Sequence, residues 1–217
     1  MAWTITFDGT TQTLSEWGIS AIQRERRNQE PDVLTFVIDG HGITEAAPFA
    51  VDDVLTLKNG DTVWFTGRCK TPERYARGAQ EGLRYTVENV WGELGRRAFL
   101  QSSKQYTGLV DDVETYAEFF TSHCILFASA NVDYDPNLDG KATLGAVIQE
   151  VLDYAIDGEA DVQYVSDELD ALSIIGPATP LTDPRCADAI REALRWCPDC
   201  VVWFDYTTDP VTIHFTP

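Results

Sequence analysis

The chain has 217 residues, with 35 acidic against 16 basic side chains for a net charge of −19, and 44% of its residues are hydrophobic and 11% aromatic. A chain of this size and apolar content can bury a core without staples, so it folds throughout, as one large domain or two small ones. The charge excludes tight binding to a polyanion such as nucleic acid, and no stretch approaches the ~20 apolar residues of a membrane span.

The N-terminal stretch MAWTITFDGTTQTL lacks the basic region and long apolar run of a secretory signal. In WTITF, Trp3, Ile5 and Phe7 alternate with threonines, and Asp8-Gly9 follows as a hairpin signal into TQTL. VLTFVID, with Leu34, Phe36 and Ile38 on one face, repeats the strand pattern. VLTLKNGDTVWFTG sets Asn59-Gly60 between two alternating runs, a strong hairpin signal because both residue types tolerate positive φ. RYARGAQEG reads as an exposed loop and LRYTVENVW as a further strand. The first hundred residues therefore predict an antiparallel barrel or sandwich.

Beyond about residue 100 the period changes. Val110, Val113, Ala117, Phe120 and Cys124 fall at helical spacing. So do Leu144, Val147, Ile148, Val151, Leu152 and Ala155, with Thr143 or Asp139 placed to cap that helix. A third helix starts near Pro184 and carries Ala189, Ile190, Ala193, Leu194 and Cys197. VVWFDY and VTIHF close the chain as strands joined by TTDP. The fold class is α+β: an antiparallel β-barrel domain over residues 1–104, then a mixed α+β domain over 105–217, divided at the polar stretch LQSSKQYTG.

Five cysteines, Cys69, Cys124, Cys186, Cys197 and Cys200, fit a reducing compartment, being odd in number in a chain that needs no disulfides. Cys197 and Cys200 form a C-x-x-C. In a redox site that motif opens a helix, whose N-terminal partial charge lowers the thiol pKa; here it ends one and leads into a strand. A structural zinc would need a second pair of similar spacing, which the sequence does not provide. Structural thiols are the favoured reading, and no catalytic residue or cofactor is assigned.

Asp135, Asn137, Asp139 and Gly140 match the opening positions of a calcium loop, yet the twelfth position, where a bidentate glutamate belongs, is Ala146. A helix-capping loop is the simpler reading. No G-x-S-x-G elbow, triad or phosphate cradle is present. Trp64, Phe65, Trp91, Trp196, Trp203 and Phe204 allow a sugar-binding platform, but strand positions favour a core role for at least half of them.

The stretches LKNGDTVWFTGRCKTPERY and GLRYTVENVWGELGRRAFLQ, with Phe65-Thr66-Gly67 as an aromatic-x-Gly signature, resemble the phage late control gene D protein family and the trimeric hubs beneath contractile tails. CADAIREALRWCPDCVVWFDYTTDPVTIHF is similar to the helix-strand-turn pattern of the same hubs. The resemblance implies a non-enzymatic baseplate-hub component of a phage or prophage tail: a tube-like barrel assembling into a ring, a homotrimer bound to other tail proteins in the virion, built in the host cytoplasm. It also implies a negatively charged lumen through which DNA slides. The hubs usually continue beyond the point matching VTIHFTP, so the resemblance also implies a fragment or a shortened member. The alternative from a different class is a calcium- or carbohydrate-binding module using Asp135, Asn137 and Asp139 or exposed tryptophans.

Overall fold

The computed structural model describes residues 2–40, 46–77, 80–110, 113–128 and 142–217. They divide into two units, Met1–Glu93 with Phe204–Thr212, and Leu94–Trp203 with Ile213–Pro217. The fold is α+β, mostly antiparallel sheet, with four helices among the described residues.

In the first unit, Asp8 and Gly9 both take positive φ, 46° and 72°, and close a hairpin of β1 (Trp3–Phe7) and β2 (Thr10–Thr13). The next strands are β3 (Ile19–Glu25), β4 (Val33–Asp39), β5 (Val54–Asn59) and β6 (Thr62–Cys69). β7 (Glu73–Arg77), β8 (Gln80–Glu88) and the short helix α1 (Val90–Leu94) follow. The sheet order is β2-β1-β5-β6-β8-β4-β3, with β7 also on β8. The expected hairpin between β5 and β6 forms, one residue later than read: Asn59 pairs with Thr62, leaving Gly60, at φ 60°, and Asp61 in the turn.

Two expectations change in this unit. RYARGAQEG is not a loop; it supplies most of the β7–β8 hairpin. The barrel is not closed either: β2 and β3 end the strand order, and among the described residues β7 pairs with β8 alone and no pairing joins β2 to β3. β2, TTQT, has four residues and none of them is buried, as suits a short polar edge strand left open to water.

Alternation on β4 and β8 builds the core. Leu34, Phe36 and Ile38 are buried, as are Leu83, Tyr85 and Val87. The Phe36 and Tyr85 rings stack 4.9 Å apart, and Phe49 meets both edge-to-face at 5.9 and 5.4 Å.

The second unit opens with β9 (Gln101–Val110) and β10 (Val113–Thr121), an antiparallel pair where the spacing of Val110, Val113, Ala117 and Phe120 predicted a helix. Thr115, Tyr116, Phe119 and Thr121 favour strand, and Ala117 and Phe120 are exposed, so no apolar helical stripe is buried there. β11 (His123–Leu126) comes next, and Cys124, the last member of that expected stripe, lies in it. The helix α2 (Leu144–Asp157) is as read: Thr143 caps it, accepting from the Ala146 N–H, and all six apolar positions are buried.

Then come β12 (Val162–Tyr164), α3 (Ser166–Asp170), β13 (Thr179–Thr182) and α4 (Cys186–Leu194). β14 (Val201–Asp205) and β15 (Val211–Thr216) end the chain. β13 pairs with β11, and β15 lies between β12 and β14. The turn side of β14 and β15, Phe204–Thr212, belongs to the first unit.

At Gly67 and Gly145 close backbone approach requires glycine. A Cβ on Gly67 would sit 2.4 Å from the Glu88 carbonyl oxygen on β8, and one on Gly145 would sit 1.8 Å from that of Leu169. Gly67→Ala is expected to lower stability by about 1–3 kcal/mol through overpacking. Gly145→Ala destabilises as well, although alanine is the better helix former by about 1 kcal/mol. Urea unfolding of both variants checks this; an unchanged midpoint at either site would mean that the strand or helix can shift at no cost.

Candidate functional site

The deepest polar cluster lies in the first unit around Asp32, 3% exposed. The Arg24 guanidinium bonds its Oδ2 at 2.6 Å, and the Tyr206 hydroxyl donates to the same oxygen at 2.8 Å. Asn89 donates to the Tyr206 oxygen at 3.0 Å, while its own carbonyl accepts from the Asp32 and Trp91 N–H groups, both at 3.2 Å. Arg24 also donates to the Trp64 carbonyl, and its guanidinium lies over the Tyr206 and Phe65 rings at 5.0 and 5.7 Å. Burial, the Asp32 charge and the hydrogen bond to it all push the Tyr206 phenol up, so it stays a donor. Of these groups only the aromatics Trp64, Phe65 and Trp91 were considered from the sequence; for the polar cluster the available signal was Ile22 and Arg24 alternating on β3, with Arg26 just past its end.

A bulge explains why Arg24 finds the Trp64 carbonyl. Leu57 pairs with Phe65 and Lys58 with Val63, which leaves Trp64 as the extra residue on β6. The indole is thereby turned out, 45% exposed, with its ring 5.2 Å from that of Trp3 and inclined at 65°. Trp3 is itself 36% exposed, so of the three β1 residues expected on the core face only Ile5 is fully buried. The two indoles, Ile22, Leu34, Leu57 and the arginines Arg24 and Arg26 line a groove of about 340 Å³.

The second unit holds a larger cleft of about 620 Å³. Phe99, Phe120 and Tyr154 supply its apolar lining; Glu150, Asp153 and Asp157 give it acids, opposed by Arg97. Burial pushes the Glu150 carboxyl up, with Gln101 as a partial counterweight. Asp153 accepts from the Tyr164 hydroxyl at 2.6 Å. Elsewhere in the unit, His214 stacks on Trp203 at 3.9 Å, and its Nδ1 lies 2.8 Å from Glu168, which also accepts from the Phe215 N–H. No serine or cysteine is bonded to that histidine among the described residues.

Cys197 and Cys200 lie where the sequence order put them. The Cys197 N–H bonds the Leu194 carbonyl at the end of α4, the Cys200 N–H bonds that of Cys197, and β14 follows. Both side chains are buried, and none of the five cysteines is in a disulfide. Burial, with the neighbouring Cys197 and Glu168, pushes the Cys200 thiol up to about 11. The calcium candidates Asp135, Asn137 and Asp139 lie outside the described residues. Within the described residues no three His, Cys, Asp or Glu side chains gather as metal ligands, and no helix is long and apolar enough to cross a membrane. Of the six aromatics considered as a platform, Phe65, Trp91 and Phe204 are buried; Trp64, Trp196 and Trp203 are exposed.

No family model and no curated protein matches the sequence. Solved structures do. Over 99% of this chain and 54% of the other, the fold is similar to the 43 kDa tail protein of prophage MuSo2 from Shewanella oneidensis, with TM-score 0.56 and 8% identity. Over 98% and 49%, it is similar to the tail protein from Neisseria meningitidis MC58, with TM-score 0.53 and 9% identity. The chain spans about half the length of each, and at such identities what is shared is the fold.

Asp32→Ala is expected to lower stability by about 3–5 kcal/mol, because it leaves the Arg24 charge buried without its partner; a loss below about 1 kcal/mol in chemical unfolding would mean that water reaches the cluster. A second outcome concerns pH. Burial raises the thiols of Cys69, Cys186 and Cys200 to about 12, 11 and 11, whereas unfolded thiols ionise near ~8.5. The unfolded chain therefore releases these protons first, and stability falls as pH rises from about 8.5 toward 11. Melting curves across that range test the slope. Rapid titration of native Cys200 by a thiol reagent at pH 8 would contradict its assigned burial.

Proposed function

We propose that the chain is a non-enzymatic structural component of a phage or prophage tail, built into the tail by contacts with other tail proteins and assembled in the bacterial host's cytoplasm. The observation that carries this reading is the extent of the likeness: it follows the fold along 98–99% of the chain in two tail proteins. A shared local motif would not run through both units.

The finer form of the reading is a baseplate hub, a homotrimer around a DNA conduit. Two observations favour it. The excess of 35 acidic over 16 basic side chains repels a polyanion, which suits a wall past which DNA must slide. The hub-like Phe65-Thr66-Gly67 stretch has its physical reason in the packing: Phe65 is buried, and Gly67 lies against the β8 backbone.

In particles purified after prophage induction, a tagged chain is expected to co-sediment with tails. Recovery only as free protein would sink the tail reading. Light scattering of the purified chain is expected to give the mass of three copies, and a monomer at high concentration would count against the trimer.

A further inference from the structure

The groove between Trp3 and Trp64 has a composition that points to one kind of occupant. Its apolar walls are the two indoles, Ile22, Leu34 and Leu57, and at about 340 Å³ it accepts one or two side chains rather than a broad surface. Tryptophan and arginine are the residues that most often anchor protein interfaces, because each offers a large rigid contact area together with a polar handle.

The charge at the rim decides the chemistry. Both charged side chains lining the groove are arginines. Asp32, at 2.6 Å, answers Arg24; Arg26 reaches the same carboxylate only through Nε at 3.5 Å and keeps its side chain 57% exposed. Two guanidinium groups share one carboxylate, so the groove is locally positive on a chain whose net charge is −19. Any basic occupant would face Arg26, whereas an acidic one would pair with it.

We infer that this groove docks an apolar segment bearing a carboxylate, contributed by another protein chain. A glycan fits less well: no Asp, Glu, Asn or Gln lines the groove to bond its hydroxyls, and indoles inclined at 65° offer no shared flat platform. The inference rests on the tail reading only for the source of the segment, which would be a neighbouring tail protein.

The test uses the full chain and three fluorescein-labelled peptides, Leu-Phe flanked by Asp, by Asn or by Lys, followed by anisotropy at fixed salt. The Asp peptide is expected to bind best and the Lys peptide worst. Arg26→Glu, at an exposed position, should weaken the Asp peptide by about tenfold or more and invert the order, and Trp64→Ala should weaken all three. Four results would overturn the inference: equal binding of the three peptides, no saturable binding of any, indifference to Arg26→Glu, or displacement of the Asp peptide by maltohexaose. Self-association of the chain that Arg26→Glu abolishes would reassign the groove to a second copy. Absence of the chain from tail particles would leave all these measurements standing and remove only the assignment of the segment's source.

Discussion

A carboxylate with almost no access to water has to be answered by donors, and Asp32 is answered by Arg24 and Tyr206, with Arg26 at longer range. Taking such a charge out of water is costly unless every lone pair is engaged. Much of what is unusual in the first unit follows from that requirement. Asn89 accepts the Asp32 N–H and donates to the Tyr206 oxygen, so both ends of the aspartate residue are held. The Arg24 guanidinium lies over the neighbouring Phe65 and Tyr206 rings and donates to the Trp64 carbonyl. In such a network each bond polarises the next, and a half-made version would be worse than an apolar core.

The same cluster links the core to the surface. β3 and β6 are not neighbours in the sheet, yet Arg24 on β3 bonds the β6 carbonyl at the residue left over by the bulge. The bulge that frees this carbonyl also turns the Trp64 ring toward water, beside Trp3. One local irregularity in strand pairing thus completes the shell of a buried charge and exposes an aromatic edge. The abundant acids elsewhere on the chain make that edge, with its two arginines, stand out in electrostatic potential.

Where local pattern decided structure, the sequence was legible. The 3.6-residue period from Leu144 to Ala155 with its Thr143 cap became α2, and Asp8-Gly9 became a hairpin. The order helix, turn, strand around Cys197 and Cys200 could be read because Pro198 and Asp199 punctuate it. Residues 110–121 misled, since apolar residues three and four apart also occur by chance in a threonine- and aromatic-rich hairpin, and strand propensity prevailed. Barrel closure depends on backbone pairing between strands distant in sequence, which alternation within a single strand does not reveal, and among the described residues β2 and β3 do not pair with each other. Of the groove, the tryptophans were visible as residues but not as a pair, because the bulge that turns Trp64 outward has no signature in sequence. The Asp32 cluster was invisible for a different reason: Asp32 and Tyr206 lie 174 residues apart.

That separation bears on how the protein is made. The first unit is not one continuous stretch of chain, since Phe204–Thr212 belongs to it. When residues 1–93 leave the ribosome, the phenol that will cover the Asp32 carboxylate has not yet been synthesised. At about 5–20 residues per second, the 174 residues between the two take roughly 9–35 s to produce. The sheet of the first unit thus emerges ahead of the second unit yet is finished after most of it, and for that interval a nascent chain exposes a polar gap where the completed protein has an aromatic ring.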